Sequence, residues 1–213
     1  MSERKPLLAV LDYGIGNLHS AHKGFTHVGA DTRLTADRGL IAEADAVVLP
    51  GVGAFRPCME ALRSTGLDEV AIERIEAGVP FFGICIGMQV LHASSEEAPG
   101  CDGLGIFDGV IREIPSRVKR PQMQWNILQR RNAQHPMFAG LPDEAWVYFV
   151  HSYSAELSGD VVATCDYGES LSAAVARDNV WAVQFHPEKS GANGLQILKN
   201  FVTEATVSSA AAR

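Results

Sequence analysis

A cysteine framed by glycines, Gly83-Ile84-Cys85-Ile86-Gly87, ends the apolar run Val79-Pro80-Phe81-Phe82 and opens into a helix-forming stretch from Met88 to Ser94. Strand, tight turn and helix in that order form a nucleophile elbow, here carrying sulfur instead of a hydroxyl. The nucleophile of such an elbow sits on a strained turn. A Cβ at Gly83 or Gly87 would crowd the close approach of strand and helix. Cys85 is therefore expected at the C-terminal edge of a sheet, beside the Ile86 N–H and the positive end of the helix. Both favour a thiolate and a developing oxyanion. The plainer alternative is a buried structural cysteine in a core strand.

Farther along, Trp181-Ala182-Val183-Gln184-Phe185 reads as a buried strand running into His186-Pro187-Glu188. A thiol nucleophile needs a base, and the base needs an orienting carboxylate. Alternate residues of an extended segment share a side, so His186 and Glu188 can supply both, with Pro187 fixing φ between them. Alone, His-Pro-Glu is an ordinary strand-end turn. Downstream of an elbow, the order Cys85…His186-x-Glu188 reads as a thiol triad. His151 is a second candidate base, but a packed or hydrogen-bonded strand-end histidine is the better reading there.

The elements that must carry these residues are legible in outline. Leu7–Leu11 and Ala46–Leu49 are continuous apolar runs, as expected of parallel strands buried on both faces. A helix is expected from Leu18 to about Val28, and others over Arg56–Ser64 and Leu67–Ala77, the last ended by Gly78. The loop Asp12-Tyr13-Gly14-Ile15-Gly16-Asn17 has only two of the glycines of a dinucleotide turn, so a loop at the sheet's carboxyl edge is the better description. Pro50-Gly51-Val52-Gly53-Ala54-Phe55 lies on the same edge. Its glycines let backbone amides approach a ligand, making it the best candidate for a second oxyanion donor. Pro99–Gly105 reads as loop. From Asp108 the texture changes to short β-like pieces, Gly109–Ile114, Met123–Gln129, Trp146–Tyr153, Val161–Cys165 and Leu171–Arg177, read as antiparallel strands added to the parallel core. Leu195, Leu198 and Phe201 mark a closing amphipathic helix. The fold class is thus α/β, a mostly parallel central sheet flanked by helices with an antiparallel β extension.

The chain has 213 residues, 46% of them hydrophobic and 20% charged, which suits one domain over 7–202 with disordered tails at 1–6 and 205–213. A net charge of −7 argues against nucleic acid as the main partner. Four cysteines without metal or disulfide spacing point to a reducing compartment, and no run approaches membrane-spanning length. A cytoplasmic protein with no metal and no membrane association is expected.

Gly83-Ile84-Cys85-Ile86-Gly87-Met88-Gln89 together with Gln184-Phe185-His186-Pro187-Glu188 resembles the class I (triad) glutamine amidotransferases. Leu11–Leu18, Leu49–Phe55, Tyr148–Tyr153 and His186–Gly191 narrow the resemblance to the HisH family, the glutaminase subunits of imidazole glycerol phosphate synthase, over residues 7 to 202. The resemblance implies a flavodoxin-like fold and a glutaminase without a cofactor. The same resemblance implies that it would pass ammonia to a (β/α)₈ cyclase subunit that makes imidazole glycerol phosphate and an aminoimidazole carboxamide ribotide in histidine biosynthesis. It also implies that Cys85 attacks the glutamine amide, His186 relays the proton and Glu188 orients His186. Ile86 and the Val52-Gly53 turn would hold the oxyanion, and Gly53, Gln89, Ser152 and Tyr153 would bind glutamine. One segment departs from the family's Pro-His-Met-Gly-Trp-Asn: Pro121-Gln122-Met123-Gln124-Trp125-Asn126, on a strand that in the family faces the cyclase. Three other readings stay open: a related amidotransferase serving another synthase, a stand-alone cysteine hydrolase on the same fold, and a catalytically silent subunit.

Overall fold

The computed structural model describes residues 4–211. In chain order its elements are β1 (Leu7–Leu11), α1 (Leu18–His27), β2 (Asp31–Thr35), α2 (Arg38–Glu43), β3 (Ala46–Gly51), α3 (Phe55–Thr65), α4 (Leu67–Glu76), β4 (Phe81–Cys85), α5 (Ile86–Val90) and β5 (His92–Ser95). There follow β6 (Phe107–Glu113), β7 (Gln122–Ile127), β8 (Gln129–Arg130), β9 (Trp146–His151), β10 (Tyr153–Ala155), β11 (Val161–Asp166), β12 (Ser170–Arg177), β13 (Val180–Val183) and α6 (Gly191–Ala211). One eight-stranded sheet runs in the order β2-β1-β3-β4-β13-β12-β11-β8. The strands from β2 to β13 pair in parallel, and β12, β11 and β8 continue the sheet antiparallel.

The central parallel strands are apolar throughout because helices cover both faces, leaving every residue of β3, β4 and β13 buried. On one face Phe25 of α1, Phe82 of β4 and Phe201 of α6 pack edge-to-face or tilted, with centroids 4.9 to 6.1 Å apart. Alternation along β4 turns Gly83 to the other face, where a Cβ would meet the side chain of Leu91 at 2.8 Å. β2, for which the sequence offers little pattern, forms the sheet's outer edge beside β1, and α2, equally unmarked, packs against β1 and α4. β2 carries Asp31, Thr32 and Arg33 and lacks the apolar run of a central strand.

Three expectations need correction. The helix after the elbow was expected to reach Ser94, but α5 stops at Val90. His92 Nδ1 donates to the Met88 carbonyl at 3.0 Å, the acceptor that the His92 amide would use in another turn. The amides of Leu104 and Ile106 take the carbonyls of Val90 and Leu91, at 2.7 and 2.8 Å. His92–Ser95 then becomes β5.

The β-rich half also divides. β11, β12 and β8 extend the main sheet as expected, but β5, β6 and β10 form a three-stranded sheet, with β5 and β6 parallel, and β7 and β9 form a separate antiparallel ribbon. The expected single strands break at Leu128 and Ser152. There the Leu128 amide bonds to the Ala145 carbonyl, and the Ser152 carbonyl accepts from Ile114.

The expected tails fare differently. Residues 205–211 continue α6 with Ala205 buried, and Arg4 pairs with Asp45 at 3.1 Å while Pro6 is buried. Residues 1–3 and 212–213 lie outside the described part. No helix among the described residues is long and apolar enough to cross a membrane.

Candidate active site

The carboxyl ends of β3, β4 and β13 meet at one edge of the sheet. Gly51 of β3 lies opposite Cys85 of β4, and Val183 of β13 lies opposite Ile84. Cys85 has φ 56° and ψ −110°, a conformation a non-glycine residue holds only when its surroundings impose it. They do so here through absent side chains. A Cβ on Gly87 would overlap the Leu49 carbonyl oxygen, and one on Gly51 would come within 2.8 Å of the Gly87 nitrogen. The chain can therefore turn sharply enough to lift the sulfur out of the strand. Because α5 has only five residues, its dipole contributes less than the Ile86 N–H itself.

His186 follows β13 and is tied in place at both ends. Its amide donates to the Tyr148 carbonyl at 3.0 Å, and its carbonyl accepts from Ser190 Oγ at 2.6 Å. His186 Nδ1 donates to Glu188 Oε1 at 2.8 Å, both side chains being 2% exposed. The same carboxylate oxygen accepts from Asn17 Nδ2 at 3.2 Å. Burial pushes the imidazolium toward losing its proton. Hydrogen bonds and charge from Cys85 and Glu188 outweigh that burial and lift the pKa to about 9. Imidazole and carboxylate are thus hydrogen-bonded to each other, and the Cys85 sulfur lines the same cavity as His186.

A cavity of about 380 Å³ opens over the sulfur. Among its lining residues are Cys85, His186, Ile86, Val52, Gly53, Gln89, Ser152 and Tyr153; Glu188 stands behind His186, away from the lining. Every residue singled out from the sequence is therefore brought to this one place. Gly53 has φ 90° with nothing near its missing Cβ, so this position requires glycine for its conformation and not for space. In this conformation the loop before it is tied by two side chains: Tyr13 donates to the Pro50 carbonyl at 2.6 Å and Cys58 Sγ to that of Val52 at 3.4 Å. Burial drives the Cys58 thiol up to about 11, which keeps that donor protonated.

His151 also borders the cavity. Nδ1 donates to the Tyr153 carbonyl at 2.8 Å, Nε2 lies 2.9 Å from the Gln122 side-chain amide, and burial lowers the pKa to about 4. A neutral ring engaged at both nitrogens is a packed histidine and a poor base.

Two residues escaped the sequence reading. Glu97 lines the cavity and accepts from the Phe55 amide at 2.9 Å, yet nothing in Ser95-Glu96-Glu97-Ala98 distinguishes it from a solvated turn. Asn17 lies in a loop whose glycines drew the attention, while its amide serves Glu188. Among the described residues no group of three or more His, Cys, Asp or Glu is arranged to hold a metal ion.

A buried sulfur with a base, an oriented carboxylate and nearby backbone amides can open a carboxamide through a thioester. Comparison with known proteins points the same way. Residues 9–205 match the family described as "Glutamine amidotransferase class-I". The chain is 48% identical to "Imidazole glycerol phosphate synthase subunit HisH" of Acinetobacter baylyi, over 92% of this chain and 97% of that protein. It is 48% identical to the protein of that name from Methanothermobacter thermautotrophicus, over 92% of this chain and 98% of that protein. The fold also superposes on the structure of PurLQS from Thermotoga maritima with a TM-score of 0.75 and 20% identity, covering 94% of this chain and 99% of that one. With the glutaminase domain of Trypanosoma brucei CTPS the TM-score is 0.66 at 16% identity, over 95% and 94% of the two chains.

Proposed function

Since the chain belongs to the HisH family of class I glutamine amidotransferases, we propose that the cavity over Cys85 is its glutaminase site and that the ammonia made there passes directly to a cyclase subunit. The protein is the glutaminase subunit of imidazole glycerol phosphate synthase and acts in histidine biosynthesis. The observation that carries the site assignment is the strained Cys85 sharing one cavity with His186, itself held by Glu188.

In this reading the Cys85 sulfur attacks the side-chain carbonyl carbon of glutamine. The Ile86 N–H and an amide of the Val52-Gly53 turn hold the resulting oxyanion. His186 gives its proton to the departing ammonia, leaving a γ-glutamyl thioester, and then draws a proton from the water that releases glutamate. Glu188 keeps the imidazole oriented and stabilises its charged form. Gln89, Ser152, Tyr153 and Gly53 hold the substrate. Gln89 Oε1 is buried without a hydrogen-bond partner and can accept an N–H of the ligand. Glu97 and Lys189 bring opposite charges to the cavity lining, which suits the zwitterionic end of an amino acid.

Ammonia released into water would be protonated and lose its nucleophilicity, so the site needs a dry connection to the acceptor. The β7–β9 ribbon offers a surface for it. Trp125 faces Tyr148 with ring centroids 6.1 Å apart, and Met123, Trp125 and Trp146 are 61%, 47% and 45% exposed. Alternation places all four on one face, together with Val150, which also lines the cavity. Such an aromatic patch continuous with the site suits the cyclase barrel. Gln124, where the family carries glycine, projects from the other face of β7 beside Gln122 and Asn126, so the departure leaves this patch unchanged. The setting is cytoplasmic.

The loop Pro50–Gly53 presents its amide to the oxyanion only when the cyclase is docked and loaded. Glutamate release by the full chain, alone and with its ligand-loaded barrel subunit, tests the whole reading. A rise of about 100-fold on adding the loaded barrel is expected. Equal rates would defeat the coupling, a partner-independent hydrolase would be indicated if no barrel subunit binds, and no glutamate in either case would defeat the glutaminase site.

A further inference from the structure

Gln184 is fully buried at the end of β13, and none of the steps above uses it. Because Val183 lies opposite Ile84, the next residues along the two parallel strands, Gln184 and Cys85, come side by side. Gln184 Nε2 is 3.8 Å from Cys85 Sγ, and Gln184 Oε1 is 3.0 Å from Gln89 Nε2. One carbonyl decides which end of each amide faces which neighbour. The Tyr153 C=O can only accept, so the Gln89 atom 3.1 Å from it must be the nitrogen. The second N–H of that nitrogen meets Gln184, which must present its oxygen. The Gln184 nitrogen is then left facing the sulfur.

We propose that Gln184 is a further catalytic residue, a buried N–H donor to the Cys85 sulfur that stabilises the thiolate attacking glutamine, with Gln89 as the positioning residue that fixes its orientation. The proposal rests on the glutaminase reading of the site. A thiolate at a position 4% exposed has lost most of its hydration, and each donor that replaces it favours the charged form. His186 reaches the same cavity from the loop after β13; Gln184 adds a neutral donor that keeps its N–H throughout turnover. Its contribution is therefore the same before and after His186 has passed on its proton. The titratable groups facing the sulfur are His186 backed by Glu188, Tyr13 after β1 and Cys58 on α3, while His151 and Glu97 border the cavity. None of these is altered by a change at 184.

The test is Gln184→Leu, similar in size but without a donor, in the full chain with its barrel subunit. Two quantities are read: the pH dependence of carbamidomethylation of Cys85 by iodoacetamide, followed on the residue-85 peptide by mass spectrometry, and kcat and KM for glutamine. The midpoint of alkylation should rise by about one pH unit and kcat fall about tenfold, with KM changed less than about twofold. An unshifted midpoint with kcat within about threefold of the parent overturns the proposal. Should the leucine variant not fold, Gln184→Met, whose flexible side chain adapts to core gaps, is held to the same two outcomes. If the parent complex itself releases no glutamate, the glutaminase reading fails, and the alkylation midpoint still decides the role of Gln184.

Discussion

Cys85→Ala is expected to lower kcat for glutamate release by at least about 10³-fold while leaving the fold in place. The sulfur is the group that forms the proposed thioester, and neither His186 nor the backbone amides can replace it. The fold should survive because alanine fits the same turn: the strain at φ 56° belongs to any non-glycine residue, and the side chain removed is small. The variant should also lose a pH dependence. His186 carries a pKa of about 9, above its unfolded value of roughly 6.5, so its charged form stabilises the native state fully below about pH 6.5. That contribution disappears as pH rises through 9. With the sulfur gone, one of the two partners that raise the pKa is lost and the value falls. Thermal melts should therefore show parent stability declining between pH 6.5 and 9 more steeply than that of the variant. Parallel declines would mean that Cys85 and His186 are not coupled.

Gly87→Ala is expected to produce the largest loss of stability, about 3 kcal/mol or more, seen as a fall in Tm of about 6 to 12 °C. The new methyl group would overlap the Leu49 carbonyl oxygen, and β3 cannot retreat because it is paired on both sides, with β1 and β4. Relief must come from opening the elbow, which moves Cys85 away from His186, so kcat should fall more than about 100-fold in whatever protein remains folded. Gly100→Ala supplies the comparison. Unlike Gly87 it has a positive φ, 74°, but nothing lies within 4 Å of its Cβ, so backbone strain of about 1 kcal/mol is all that is added. Equal melting temperatures for the two variants would show that the contact with Leu49 is not what confines the elbow.

The central strands and the candidate site were legible in the sequence for the same reason: both are fixed by short-range rules. Leu7–Leu11, Ala46–Leu49 and Phe81–Cys85 need no tertiary knowledge to be read as buried strands, since a strand covered on both faces must be apolar throughout. The spacing of Gly83 and Gly87 about Cys85 reflects local steric need. The pairing of His186 with Glu188 was foreseen for the wrong reason: the segment is not extended, and Pro187–Lys189 forms a 3-10 turn, with the Lys189 amide on the His186 carbonyl at 3.0 Å, that brings the carboxylate back to the ring. What could not be read depends on partners distant in the chain. Helix α5 ends because His92 turns back on Met88 and because amides of residues 104 and 106 arrive to claim its last carbonyls. The β-rich half separates into three sheets because breaks at Leu128 and Ser152 redirect strands whose composition alone permits several pairings. Glu97 is an acidic loop residue like its neighbour Glu96, and only the fold decides which of the two borders the cavity. Gln184 was visible as part of a strand, but its contact with the sulfur follows from the register of β13 against β4, which composition does not encode.

Labelling with a glutamine analogue that carries a diazoketone in place of the side-chain amide tests the central claim most directly. The outcome is read by peptide mass spectrometry together with residual glutaminase activity. One label per chain is predicted, on Cys85, forming in step with loss of activity, slowed by glutamine and nearly absent in His186→Ala. A label on Cys58, Cys101 or Cys165, or glutamate release that persists after Cys85 is fully modified, would contradict the account.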